Sequence, residues 1–571
     1  MSSHAQPAVQ HEHFKTSDSQ NDAQDTYSIG ESLSSVDTQT DHDALGRPSL
    51  TAQSTRASGH MSLAERVTTI PTNMTADPNF EVDFDGPDDP QNPKNWKRGY
   101  TSMALLFLSW NTLIVVLYST AYTSGATQMA AQFGQSKLII DLGLTFYLFG
   151  LAIGSMFMAP LSEVYGRKPV CVGCLFVFTV LVIPCALAKS VVTLIVVRFI
   201  AAFFGSVMIS TAPGMISDMF EPEQRGMAIS VWSIGPLNGP VIGPIIGGFV
   251  TQYLGWRWMD WIVLILSGVA FGFSVILKET YTPTILQKKA ARIRKETGDS
   301  RWWSRYDQKD DITTILKLNL SRPFVMLVTE PICIFWDIYV AIVYGILYLC
   351  FVAYPIVFGE IRGWSLGISG LAFLGIGIGS MITITCEPLV RRLINSHPKD
   401  PETGRVYPEA MVAFMCICAI LIPVGELWFA WTCAPKTIHW IVPLLAGIPF
   451  GAGNTGVFIY ASNYLTNSYG MYAASALAGN SVIRCILGGV LPLAGSSMYT
   501  TLGANWAGTL LGLLEVLIAP IPFVFYKYGH IIRQKSNLIT RMQDDKKNDD
   551  AKRARRLARM QPDSHDVEKH V

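Results

Sequence analysis

A few charged side chains stand inside long apolar runs, where an ionised group is costly to bury. Glu330 and Asp337 lie seven residues apart in EPICIFWD and would share one face of a helix. Carboxyls withdrawn from water in this way can exchange protons near neutral pH, so both are candidates for proton coupling. At 1.5 Å per residue, Asp337 would lie roughly 20 Å along its helix, inside a bilayer core. Glu426, Glu515 and Arg484 are further charges of this kind, and Glu426 and Arg484 could instead belong to structural ion pairs. Arg198, in LIVVRFIAAFFGS, must face a cavity or an acid, or else reach the outer interface with its long stem. No Walker loop, HExxH or serine elbow accompanies these residues, so neither ATP drive nor enzymatic catalysis is expected.

The elements that would carry these groups are membrane helices. The chain has 571 residues, half of them hydrophobic and only 15% charged, with mean hydropathy +0.30. Twelve apolar runs approach the ~20 residues a bilayer requires. Their approximate limits are 100–122, 139–160, 169–187, 190–214, 228–252, 259–278, 324–350, 366–386, 409–431, 439–464, 473–498 and 505–527. The fold class is therefore all-α and polytopic, with twelve spans in two six-helix halves, 96–278 and 324–530. Residues 1–95 are polar and lack an apolar leader, and read as a disordered cytosolic tail. Residues 279–323 read as a cytosolic central loop and 531–571 as a basic cytosolic tail. Net charge is only +1, which gives no electrostatic reason to expect nucleic acid as a partner.

Lys and Arg placement orients the spans. With a cytosolic N-terminus, five fall in outer loops, against eleven from Lys278 to Arg322 and twelve from Lys527 to Lys569. Both termini are then cytosolic. Most of the ten cysteines sit in apolar runs, and the CxxC of Cys171 and Cys174 has no second ligand pair, so no metal is expected.

Three motifs stand out. In APLSEVYGRKP (159–169), Glu163 faces Arg167 and Lys168 across a turn that Gly166 allows to be tight. That arrangement could latch two helix ends, or it could be cytosolic anchoring alone. GLAIGSM (150–156) and GIGIGSM (375–381) fall in the second span of each half, consistent with a duplicated unit or with chance likeness between Gly-rich helices. GPVIGPIIGG (239–248) places Gly239, Gly243 and Gly247 on one helix face suited to close backbone contact, beside a stripe of Pro240 and Pro244. Packing alone could account for it.

These motifs resemble the major facilitator superfamily. Leu161, Gly166, Arg167 and Lys168 fit its G-x-L-x-D-x-x-G-R-K signature, with Ala159 and Glu163 as departures. Arg198 matches the arginine of the fourth-helix signature, which the resemblance links to proton coupling, although Ala201 and Ala202 replace the usual Gln and Gly. Gly239, Gly243, Pro244, Gly247 and Gly248 fit the fifth-helix pattern G-x-x-x-G-P-x-x-G-G, which in that family marks antiporters. DPQNPKNWKRGY (89–100) and LKETYTPTILQKKAARIRKETGD (277–299) are similar to fungal 12-spanner drug:proton antiporters. The resemblance implies a proton-coupled exporter of drugs, toxins or other amphipathic small molecules. A proton-coupled importer is the alternative, and a membrane receptor the alternative of another class. It also implies no cofactor beyond the proton gradient, a monomer in the lipid bilayer of the plasma or vacuolar membrane, and a small-molecule substrate. By analogy with the fold, Asn111, Tyr118, Asn238, Trp336, Tyr339, Tyr344, Phe458, Asn463 and Asn480 are candidate cavity residues.

Overall fold

Inside a bilayer the backbone can satisfy its polar groups only through itself, so each long apolar run must become a helix. The computed structural model of the protein describes residues 80–541, apart from 87, 308–311, 400, 402, 403, 405 and 537. The expected tail before residue 80 and the basic stretch 542–571 lie outside the described residues.

Among the described residues, twelve helical segments are long and apolar enough to cross a membrane. We number them α1 (Arg98–Phe133), α2 (Lys137–Tyr165), α3 (Arg167–Ala186), α4 (Val191–Met219), α5 (Gln224–Tyr253) and α6 (Trp256–Ile276) in the first half. The second half holds α7 (Pro331–Ile361), α8 (Leu366–Thr385), α9 (Glu409–Thr432), α10 (Ile441–Tyr469), α11 (Ala473–Leu502) and α12 (Ala504–Gln534). All twelve expected spans are present.

The halves repeat one another in packing as well as in sequence. A Cβ at Gly150 or Gly154 would press into the carbonyl oxygens of Phe199 and Phe203 on α4. A Cβ at Gly375 or Gly379 would press into those of Leu444 and Ile448 on α10. So α2 sits on α4 as α8 sits on α10, in each case through glycines that let two backbones touch.

The seventh span begins later than expected. A helix over Ile312–Thr329 precedes it, and Glu330 breaks the run with φ −101° and ψ 110°. Pro331 explains the break: its ring disfavours helical geometry in the residue before it, while its missing N–H is harmless at the first helical position. Glu330 and Asp337 therefore do not share a helix face. Asp337 lies six residues past Pro331, about 9 Å into α7 rather than 20 Å.

Residues 80–95, read from the sequence as disordered tail, are instead clasped to the stretch between the halves, which itself carries a helix over Thr282–Thr297. Val82 N–H donates to Trp303 C=O at 2.8 Å, and Trp303 N–H donates to Phe80 C=O at 3.0 Å. Arg305 pairs with Glu81 and Asp83, each at 2.8 Å. Lys289 pairs with Asp85 at 2.7 Å and with buried Asp89 at 3.4 Å. The polar composition misled because these acids find fixed basic partners some 200 residues away in the chain.

Burial alone would raise the Asp89 carboxyl, but the Asp85 and Gln91 N–H groups and the Lys289 ammonium outweigh it and hold it below the ordinary range. A depressed carboxyl stabilises the fold above its unfolded value of about 4, and that contribution is lost as pH falls through the folded value. Asp89→Asn should therefore lower the thermal midpoint of the detergent-solubilised chain at pH 7, by on the order of 1–3 kcal/mol in stability. The gap between mutant and parent should shrink on acidification below pH 4 or so; a gap that persists or widens there would contradict the assignment.

Candidate functional site

The Gly-Pro stretch of α5 answers to α1. Cβ atoms added at Gly239, Gly243 and Gly247 would stand 2.9 Å from Leu113 O, 2.9 Å from Leu117 O and 2.8 Å from Ala121 O. The glycines are thus the condition for α5 to lie backbone-to-backbone on α1. Pro236 and Pro244 each remove an N–H and orphan the carbonyl four residues earlier. Helix α1 supplies both replacements: Ser109 Oγ donates to Trp232 C=O at 3.1 Å, and Thr120 Oγ1 donates to Pro240 C=O at 2.9 Å.

The far end of this stretch touches the other half. A Cβ at Gly248 would lie 2.6 Å from Leu366 O, and one at Gly370 would lie 2.5 Å from Pro244 O. Other links between the halves are Ser119–Tyr348 at 3.2 Å, Thr145 Oγ1 to Gly489 C=O at 2.7 Å, and Asn238 Nδ2 to Ser380 Oγ at 3.3 Å. Lys137 and Glu360 pair across the halves at 3.6 Å.

Between these contacts lies a central cavity of about 50 Å³. Pro236 and Pro240 of α5, Val340 and Tyr344 of α7, Asn454 and Phe458 of α10 and Arg484 of α11 contribute to its wall. At that size it holds a water or two, and a larger molecule needs a wider opening than this structure shows. A second cavity of about 250 Å³ lies at the ends of α1, α5 and α7, away from the described termini, and is lined by Asp141, Lys137, Glu360 and Trp364 among others.

Arg198 is fully buried inside the first half, so the interface reading is excluded. Its Nη2 donates to Tyr118 C=O at 2.9 Å and its Nε to Gly143 C=O at 3.4 Å, while Nη1 has no partner. The rings of Tyr118, Tyr122 and Tyr147 surround its guanidinium carbon at 4.3, 4.2 and 4.9 Å. Cation–π attraction thus takes the place of an ion pair. Tyr118 donates its hydroxyl to Asp260 at 2.8 Å, which places a carboxylate next to the box.

Asp337 is 1% exposed. Its Oδ1 accepts from Asn480 Nδ2 at 2.8 Å, and its Oδ2 has no partner among the described residues. Because Val340 and Tyr344 follow it by three and seven residues, Asp337 sits one turn from the cavity on the cavity-facing side of α7. Glu330 lies elsewhere, accepting from Ser536 Oγ at 2.6 Å and Tyr469 OH at 3.2 Å, where it secures the chain beyond α12. Glu426 and Glu515 are buried within the second half, away from the central cavity; Glu426 Oε1 and both Glu515 oxygens lack partners, so the ion-pair reading of Glu426 fails among the described residues.

The turn after α2 is held by carboxylates other than the expected one. Gly166 has φ +98°, and Glu163 is exposed. Arg167 Nε pairs with Asp218 at 2.8 Å, and the N–H groups of Arg167 and Lys168 donate to Glu279 at 3.1 and 3.2 Å. Asp218 ends α4 and Glu279 follows α6, so the turn ties three helix ends of one half together. Nothing in the spacing of 159–169 could have named either acid.

Of the nine candidate cavity residues, only Tyr344 and Phe458 line the central cavity. Asn111 donates to Ser274 at 2.8 Å, Asn480 holds Asp337, and Tyr118 holds Asp260. Trp336 packs against Tyr339, Tyr464 and Phe525. Asn238 faces a groove between α5 and α8, and Asn463 is not in the wall. Cavity residues the sequence reading missed include Asn454, Thr455 and Ser380, although NT at 454–455 is a polar pair inside an apolar run and so carried a signal.

Residues 100–492 match the sequence profile described as Major Facilitator Superfamily. The chain is 41% identical over 453 residues to "MFS-type efflux pump MFS2" of Trichophyton rubrum, covering 79% of this chain and 76% of that one. It is 39% identical over 465 residues to "Ascochitine biosynthesis cluster MFS transporter" of Didymella fabae, covering 80% and 88%. In fold it resembles the proton:xylose symporter XylE bound to 6-bromo-6-deoxy-D-glucose, with a TM-score of 0.55, 15% identity and coverage of 76% and 96%.

The seating of α5 on α1 makes a direct prediction. Ser109→Ala and Thr120→Val each strip an orphaned carbonyl of its donor and should each cost about 1–3 kcal/mol. The two sites are about 16 Å apart along α1, so the double variant should lose close to the sum. Thermal unfolding in detergent reads this; midpoints equal to the parent's would show that neither hydroxyl supports the prolines.

Proposed function

The chain belongs to the Major Facilitator Superfamily, as a membrane transporter of the fungal drug-efflux type and not an enzyme, and from that premise we propose that it exports amphipathic small molecules in exchange for protons. Relatives carrying the names of an efflux pump and of a biosynthesis-cluster transporter support outward transport of a toxin-like or drug-like cargo. The observation that carries the coupling is Asp337: a buried carboxyl with one oxygen unpartnered among the described residues, one turn from the central cavity between the halves. In this reading a proton from outside binds Asp337 while the outer contacts are parted. Closure of α5 on α8 then hands the cavity to the cytosolic side, where the proton leaves and cargo enters the cavity. Alternation of this kind is a rocking of two repeats about a central site. Arg198, with one nitrogen free beside Tyr118 and Asp260, is the matching charge in the first half and would feel any change in its neighbours' protonation.

The excess of Lys and Arg on one side supports cytosolic termini. The Gly166–Lys168 turn, bound to Asp218 and Glu279, would fix the inner ends of α2, α3 and α4 as one rigid group while the halves move. The working form we propose is a monomer in the plasma or vacuolar membrane that needs the proton gradient and no cofactor.

Expression in yeast stripped of its own pumps tests this. The parent should lower retention of a fluorescent amphipathic dye, and a protonophore should abolish the difference. Asp337→Asn should reach the membrane in equal amount yet retain dye like the pump-free strain. Normal, protonophore-sensitive efflux by that variant would remove Asp337 from the mechanism, and gradient-dependent accumulation by the parent would overturn export.

A further inference from the structure

Among the described residues, the wall of the central cavity carries a single charge, Arg484. The side chain is 7% exposed. Its Nη2 donates to Ser481 Oγ at 3.2 Å, and its Nε has no acceptor. The rings of Phe458 and Tyr344 lie 4.7 and 5.3 Å from its guanidinium carbon. No described carboxylate lies within ion-pair distance: Asp337 is engaged by Asn480, one turn earlier on the same helix, and the acids on α9 and α12 are outside the cavity. The polar groups beside Arg484 are Tyr344, Tyr348 and Cys485, none of them a carboxylate.

A guanidinium stays charged at any physiological pH, and an unopposed buried charge is unfavourable until a counter-charge reaches it. Here the counter-charge must come through the cavity. The rest of the wall defines what else the visitor carries. Val116, Val340 and Leu347 offer apolar contact, and Asn454, Thr455 and Ser380 offer a few hydrogen bonds. Phe458 and Tyr344 hold the guanidinium and present ring edges and faces to a planar neighbour.

We infer that the cargo is a small aromatic acid, whose carboxylate docks on Arg484 while its ring lies between Phe458, Tyr344 and the aliphatic wall. Organic cations such as polyamines are disfavoured in the same cavity, because like charges in a desolvated site repel. Direction of movement rests on the exporter reading; the charge preference of the site does not.

Three probes with one ring and three charges test it: 2-naphthoate, 2-naphthalenemethanol and 2-naphthylmethylammonium. Each is titrated calorimetrically into the purified full chain in detergent, with empty micelles subtracted. The parent should bind naphthoate about tenfold or more tighter than the ammonium compound. Arg484→Gln should erase that preference and leave the neutral alcohol unchanged, which also shows that the variant is folded. Arg484→Lys should keep part of the preference, since the charge remains but the planar fork is lost. Ammonium binding equal to or tighter than naphthoate, no binding of any probe, or an undiminished preference in Arg484→Gln would each overturn the inference. Should Arg484→Gln not fold, the parent's own order of affinities and the Arg484→Lys variant decide. Efflux from the yeast strain separates the two claims. Proton-linked export without charge preference sinks the aromatic-acid site and spares the exporter. Naphthoate binding without any proton-linked export does the reverse.

Discussion

The wall of the central cavity and the contact between the halves both rest on how closely α5 can lie on α1. Three glycines at four-residue spacing remove the side chains from one face of α5, and the carbonyls of α1 occupy the space. That proximity brings Ser109 and Thr120 within reach of the two carbonyls orphaned by Pro236 and Pro244. Helix breakers are then tolerated in mid-membrane, because a neighbour restores what they remove. With one face committed to α1, α5 turns Pro236 and Pro240 to the cavity and Gly248 to α8. One helix thereby fixes the first half, forms a wall of the central cavity and closes the two halves at one end.

The second theme is charge without partners. Arg198 is held by tyrosine faces and backbone carbonyls, Asp337 by one amide, and Arg484 by rings and a serine. None of these groups makes an ion pair among the described residues, whereas the loops outside the spans are rich in them, as in Lys289–Asp89 and Arg305–Glu81. Those loop pairs fasten segments of one body, whereas Lys137–Glu360 is the pair that bridges the two halves. In the proposed cycle, the single charges stand where a proton or cargo would change their environment.

How much of this was legible in the sequence depends on range. Span number, the halves and the glycine faces were readable because they follow from hydropathy and a four-residue period, both local properties. The start of α7 was misplaced because hydropathy does not register Pro331, whose effect on Glu330 is steric. The acids that bind the turn directly were not legible, because Asp218 and Glu279 are close to it only in space. The cavity residues fared worst. A polar side chain in an apolar run must find a partner, and for Asn111 and Tyr118 the partner is α6 of the same half. Composition shows that a polar group is present but does not show which neighbour it faces.

In the proposed cycle, the contact of α5 with α8 at Gly248 and Gly370 is a gate that opens while the opposite end closes. Pulsed electron resonance between spin labels measures it, with one pair at exposed Tyr253 and Ile368 beside that contact and a second at exposed Met227 and Leu393 at the other end. In lipid nanodiscs, a shift of pH or addition of a bound cargo should lengthen one distance and shorten the other. Distances that stay fixed, or that change in the same sense at both ends, would rule out such a gate.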